Sequence, residues 1–372
     1  VGCSLLSVSA SLTQCSSILG VILVCGGASP AGGYVGGEYW HQPGAFHNGF
    51  KGLCSVFVTA AFAFGGTELV GLAAAETANP RKSLPTAVKQ VFWRITLFYI
   101  VALTLVGLLV PYTNQRLLNK AGQSSNAKAS PFVIAIQTAG ISGLPSVMNV
   151  VIMISVLSVG NSAVYGSSRT MAALAEQGQA PAFLAYIDRR GRPIFAIILA
   201  SSIGLVAYVG ASSKQESAFN WLIALSGLSS IFTWGSICLA HIRFRKAWRV
   251  QGHDLDELAF RSQAGVLGSW AGLIFNILVL VAQFWTGFAP IGYGGQSASE
   301  RVDGFFQAYL AAPILIFFYV TYKFWFKTKI MRSRDMDLHS GRRDLDISYL
   351  IAEERAERAR WPAWKKAYKF FC

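Results

Sequence analysis

Charge is scarce in this chain. Of its 372 residues only 13% are Asp, Glu, Lys or Arg, about half the share of an ordinary soluble domain, while 53% are hydrophobic. A soluble fold of this length is excluded by that balance. Cysteine is sparse and unpatterned. Cys3, Cys15, Cys25, Cys54, Cys238 and Cys372 form no CxxC pair and no metal-ligand spacing, which argues against a disulfide framework and a zinc site. His41 and His47 lie six apart without further ligands and do not make a metal site. HExxH, GxSxG and Walker A patterns are absent, so nothing points to an enzyme or to a bound cofactor. The chain begins at Val1 without a basic segment before its first apolar stretch, so no secretory signal is legible and a truncated or misjoined start is expected.

What the chain has instead is apolar residues in long blocks. About eight candidate spans emerge, near residues 4–25, 52–75, 91–110, 132–160, 194–210, 219–240, 264–288 and 304–326, each able to cross about 30 Å of hydrocarbon. The blocks exceed a barrel strand and lack period-two alternation, so the expected fold class is an all-α integral membrane protein. Residues 1–326 form its transmembrane domain and 327–372 a tail. The first span is the least apolar, since residues 4–17 read SLLSVSASLTQCSS.

The net charge of +14 does not indicate nucleic acid, because the basic residues sit in connectors. Arg81, Lys82, Lys89 and Arg94, then Arg169, Arg189, Arg190 and Arg192, then Arg243, Arg245, Lys246, Arg249 and Arg261, and the tail all fall on one side of the implied topology. The positive-inside rule makes that side, with both termini, cytoplasmic. The partner implied is a lipid bilayer.

Residues 62–80 read FAFGGTELVGLAAAETANP. Gly65 and Gly66 near mid-span free the backbone to unwind. Glu68 follows, and a carboxylate at mid-membrane costs about 2.5–3.5 kcal/mol on insertion scales, so it needs a wet or protein-lined cavity. A break there lets carbonyls of the first half-helix coordinate an ammonium while the second half presents N–H groups. The alternative is a GxxxG-like packing face with Glu68 hydrogen-bonded to a neighbour. Spacing alone leaves both open. In the fourth span Ser158, Gly160, Asn161 and Ser162 bring small and polar groups to mid-membrane, to line a cavity or let helices approach closely.

The run FAFGGTELVGLAAAETANPRKSLPTAVKQVFWRITLFYI, with SVLSVGNSAVYGSSRTMAALAEQGQAP (155–181), FNWLIALSGLSSIFTWGSICLAHIRFRKA (219–247) and GRRDLDISYL (341–350), resembles the fungal amino-acid permeases of the amino acid–polyamine–organocation superfamily. The resemblance covers roughly Ile18 to Cys372. It implies a LeuT-like inverted-repeat fold in which the chain holds about eight of twelve helices, starting near helix five, with Phe62–Ala75 as the broken helix six. The uncharged stretch 1–17 departs from relatives, which carry a lysine in helix five.

Carried over by motif, the carbonyls of Ala63, Phe64 and Gly65 receive the substrate ammonium, with Gly66 and Thr67 completing the break and Phe64 closing over the side chain. Glu68 becomes the proton-coupling or structural carboxylate. Ser158 and Asn161 line the cavity, and Trp221, Ser226, Thr233 and Trp234 face the pathway or anchor the helix. The function implied is secondary transport of L-amino acids across the plasma membrane with protons. The alternatives are a non-transporting amino-acid receptor and an inactive permease fragment. The connector Arg169–Pro193 supplies conformation-dependent salt bridges or is a solvated loop. The tail offers a surface for trafficking or ubiquitin-ligase adaptors. Trp361, Trp364, Tyr368 and Phe371 give it an amphipathic end, and Cys372 is placed for palmitoylation.

Overall fold

The helix from Leu144 to Glu176 shows why this chain folds as it does. Its 33 residues extend about 50 Å, more than the hydrocarbon thickness, and its start is set by Pro145, whose missing N–H costs nothing in a first turn. It ends where Gly178 takes φ +72°, and the Gln177 and Gln179 N–H groups donate back to the carbonyls of Ala173 and Leu174. Along its middle, Val156, Leu157 and Val159 are all more than 60% exposed. An apolar flank of that kind is stable only against lipid or another helix. Its hydroxyls are satisfied within the helix: Ser155 donates to the Val151 carbonyl and Ser162 to that of Ser158.

The computed structural model describes residues 36–74, 80–114, 117, 130–138, 143–211, 215–258, 262, 264–338, 340 and 360–362. Among them there is no strand. The helices are α1 (Gly49–Ser55), α2 (Phe57–Phe64), α3 (Leu69–Ala74), α4 (Pro80–Ile95), α5 (Ala102–Leu109), α6 (Pro131–Thr138), α7 (Leu144–Glu176), α8 (Ile194–Gly204), α9 (Gln215–Val250), α10 (Gly265–Phe288), α11 (Ala298–Tyr309) and α12 (Ala311–Phe326). Four runs among the described residues are long and apolar enough to cross a membrane: Gly49–Gly71, Leu144–Glu176, Ser217–Val250 and Gly265–Phe288. A fifth is formed if α11 and α12, bent by 59° at Leu310, count together.

Several elements differ from the boundaries expected above. The stretch near 91–110 passes from α4 through a wider π turn at Thr96–Val101 into α5. The region near 132–160 divides into α6 and the separate, longer α7. The apolar run at 194–210 tightens from α8 into a 3-10 turn at Leu205–Ala211. The span near 4–25 lies outside the described residues.

The chain divides into two units. One comprises Val1–His47, Gly66–Glu76 and Val91–Phe219; the other comprises Asn48–Gly65, Thr77–Gln90 and Asn220–Cys372. In the first, Val106, Leu109 and Val110 of α5 and its end pack on Ile134 and Ala135 of α6, and Ala175 of α7 meets Leu184 and Ala196. In the second, Val58 and Ala61 of α2 pack with Leu228, Ile231, Val279, Ala311 and Ala312. That core depends on Gly227, where a Cβ would lie 2.6 Å from the Val58 carbonyl oxygen. The residue that opposes it is backbone and cannot swing away.

The connector after α7 carries the Asp188 turn. Its carboxylate accepts from the Arg192 guanidinium at 3.1 Å and from the Arg189 N–H at 2.7 Å, while Gly191 turns at φ +74°. The Arg192 hydrogen bond, helped by the Arg189 N–H, holds the Asp188 carboxyl below the usual carboxylate range. This connector ion pair is local, four residues apart.

Gly227→Ala should lower stability by about 1–3 kcal/mol, whereas Gly160→Ala, inside α7 where nothing stands within 4 Å, should be neutral or raise it by up to about 1 kcal/mol; thermal unfolding in one detergent compares them. Because the folded carboxyl of Asp188 is depressed, the turn's contribution is complete above the ordinary carboxylate range and fades as pH falls through the lower, folded value. A carboxyl NMR titration should place the Asp188 midpoint under 3.8, and Arg192→Ala should move it upward.

Candidate functional site

The site is built where a helix stops inside an apolar run. α2 ends at Phe64, and Gly65 leaves helical geometry at φ −56°, ψ 145°. Gly66 follows at φ +92°, a conformation open to glycine and costly for residues with a Cβ. The Gly65 N–H still closes onto the Phe62 carbonyl at 3.1 Å. The Gly66 N–H has left the ladder, and it donates to Oε2 of Glu68 at 3.2 Å. Helical bonding then resumes in tight turns, Leu69 N–H to Gly66 O and Gly71 N–H to Glu68 O. Glu68 thus supplies the acceptor that the interrupted backbone lacks. Phe64, Gly66, Thr67 and Glu68 are half-buried; Ala63 and Gly65 are exposed.

The chain passes from one unit to the other between Gly65 and Gly66, so the two half-helices dock on different long helices. In the unit containing α2, the bare Cα of Gly65 faces α9, where Ser230 Oγ would stand 3.8 Å from a Cβ. Gly227 and Ser230 are three residues apart and share one face of α9. Ser230 donates to the Ser226 carbonyl at 3.0 Å, and Thr233 to that of Ser229 at 2.9 Å. Ser230 was not singled out from sequence; the small residues at 227 and 230, spaced to face one neighbour, were the signal.

In the other unit, Leu69 of α3 rests directly on Gly166 of α7. Ser158 and Asn161 lie on the same helix and are exposed. At about 100° per residue, Asn161 stands about 140° around α7 from Gly166, and Ser158 about 80°. The face of α7 that receives α3 is therefore the Ser162–Gly166 side, and Asn161 points elsewhere. Trp221 and Trp234 are half-buried, and Ser226 and Thr233 are exposed on α9.

His47 packs its ring 5.0 Å from Tyr112. Among the described residues no three His, Cys, Asp or Glu side chains cluster as metal ligands. Cys54 and Cys238 are free thiols, and Cys372 lies outside the described residues.

The model of the amino acid permease family matches residues 6–334. The chain belongs to that family. It is 54% identical over 365 residues to the general amino-acid permease GAP1 of Saccharomyces cerevisiae, covering 95% of this chain and 59% of that protein. It is 52% identical over 349 residues to the histidine permease of the same yeast, covering 92% and 57%. It is 46% identical over 360 residues to the S-adenosylmethionine permease GAP4 of Candida albicans, covering 95% and 58%. The chain thus spans less than two thirds of the length of these relatives. No solved structure matches it. Family membership and the apolar helices together make it an integral membrane protein, related to transporters and not to enzymes.

If Gly66 is required for its φ, Gly66→Ala should cost about 1–3 kcal/mol and speed amide exchange at Leu69 to Gly71. Unchanged exchange and an unchanged melting point would remove that requirement.

Proposed function

We propose that this permease-family chain contributes the broken-helix half of a secondary transporter that moves L-amino acids across the plasma membrane with protons, by alternating access in a LeuT-like fold with both termini cytoplasmic. The observation that carries the reading is the break itself: α2 ends at Phe64, and a carboxylate holds the Gly66 N–H. Carbonyls at the end of α2, those of Ala63, Phe64 and Gly65, lie at the negative end of its dipole and attract an ammonium. Each carbonyl has two lone pairs, so an ammonium adds to existing hydrogen bonds without displacing them. Thr67 brings a backbone N–H of the second half toward the substrate, while Gly66 supplies the turn and keeps its own N–H on Glu68. On α7, Ser158 supplies polar lining beside the face that receives α3; on α2, Phe64 supplies an apolar wall.

Glu68 links protons to this geometry. As a carboxylate it makes a charge-assisted bond to the Gly66 N–H; protonated, it makes a weaker one. Proton binding therefore loosens the turn that joins the two half-helices, which is the coupling a symporter requires. The tail is the surface for trafficking or ubiquitin-ligase adaptors, with Cys372 as its lipidation position.

Uptake of labelled amino acids into vesicles containing the full-length protein, measured across pH, tests this. Glu68→Gln keeps an oxygen acceptor but cannot titrate, so uptake should persist with its pH dependence flattened. Glu68→Ala also loses the acceptor and should reduce uptake about tenfold or more at every pH. Unchanged pH dependence in Glu68→Gln removes Glu68 from coupling, and binding without accumulation in the unaltered protein replaces the transporter reading with that of an amino-acid receptor.

A further inference from the structure

The first half of the broken helix is tied down at its start as well as near its break. The segment Asn48–Gly65 belongs to the unit that contains α9 and α10, and the chain enters and leaves that unit at the two ends of the segment. Both crossings fall where the backbone turns to positive φ, at Asn48 (59°) and Gly49 (57°) on entry and at Gly66 (92°) on leaving. Between them, α1 and α2 are separated by a single turn at Val56, which keeps right-handed geometry and whose carbonyl accepts from the Ala60 N–H at 2.9 Å. The segment is thus a stiff rod with helical continuity at neither end. What it docks on decides where it points.

Along α10, the Phe57 ring meets Phe275 edge-on with centroids 6.4 Å apart, and the Phe50 ring lies 6.4 Å from that of Trp285. Contacts of this kind keep two helices side by side but fix their register weakly, since lipid is as apolar as the rings. Lys51 is different in kind. It is the one charged side chain of the rod, and it is half-buried. Its Nζ donates to the Pro290 carbonyl at 3.3 Å and stands 5.8 Å from the centre of the Trp285 ring.

The end of α10 suits a cation. The helix stops at Phe288, so its last carbonyls lie at the negative end of the helix dipole. The indole face adds a second negative surface. The Ala289 N–H is already returned to the Trp285 carbonyl, and Pro290 brings an acceptor without an N–H of its own. A charged donor aimed at one carbonyl is directional in a way that the ring contacts are not.

We propose, on the reading above that the Ala63, Phe64 and Gly65 carbonyls receive the substrate ammonium, that Lys51 is a positioning residue for transport: its ammonium, seated at the end of α10, sets the direction of the α1–α2 rod and so the placement of those carbonyls at the rod's far end. Lys51 itself does not touch the substrate. Without its cation the rod rests on apolar contacts alone and samples more than one direction. Substrate affinity then falls with the fraction of molecules whose carbonyls are aligned, while the steps after binding proceed as before.

Uptake and equilibrium binding of labelled L-histidine by the full-length protein in vesicles test this. Lys51→Met keeps the aliphatic stem and removes the cation; it should raise KM and the dissociation constant together about fivefold or more, with Vmax per inserted molecule within about twofold of the unaltered protein. Lys51→Arg returns a cation to the same socket and should bring both constants back to within about twofold. Trp285→Leu should weaken binding in the same direction, and combining it with Lys51→Met should do no more than Lys51→Met alone. A lowered Vmax at unchanged KM, an equal loss in Lys51→Met and Lys51→Arg, or additive effects of the Lys51 and Trp285 changes overturns the proposal. Binding without accumulation in the unaltered protein removes the transport reading and leaves the dissociation constants to decide on Lys51, whereas no binding by the unaltered protein removes the carbonyl site and Lys51's role with it.

Discussion

Inside hydrocarbon no water completes a broken hydrogen-bond ladder, so a helix that stops there must find its acceptors in the protein. The candidate site follows from how the interrupted ladder is completed at Gly65–Gly66. The Gly66 N–H, turned out of the helix at φ +92°, is received by Glu68 two residues later. The carboxylate is thereby held in place by the break, and the break by the carboxylate. Glu68 accepts from the backbone of its own interrupted helix.

Glycine does the complementary work on the neighbouring helices. Gly227 lets α2 approach α9 until backbone and backbone nearly touch, and Gly166 receives Leu69 of α3. Without hydrophobic driving force between helices in lipid, such close approach is what makes contact favourable. Each half of the broken helix is thus fastened to a different long helix, and the chain changes unit at the break. Covalent continuity across Gly65–Gly66 joins two separately packed halves through the turn that Glu68 holds.

The polar ends of the helices are managed differently from their middles. Within α7 and α9, serine and threonine hydroxyls return to carbonyls one turn back, which hides them from lipid. At the ends, side chains instead hold loops: Asp188 with Arg192, and Ser297 with Glu300 in a capping box that starts α11. Gln251 belongs with these, since it lies just past α9 and reads backbone carbonyls of a segment far along the chain.

The all-α membrane class and the place of the break were legible in the sequence, because they rest on local facts: the length of apolar runs and a pair of adjacent glycines among them. So was the family, which a long ungapped motif carries. The contact of Ser230 with Gly65, the seat of Leu69 on Gly166 and the direction of Asn161 away from that seat were not legible. They depend on which face of one helix meets another, and hydrophobicity on all sides of a membrane helix erases the periodicity that would reveal it. Composition and motif determined what kind of chain this is and where its helix fails; only packing decided what each half of that helix leans on, since close approach is a property of two surfaces and not of either sequence alone.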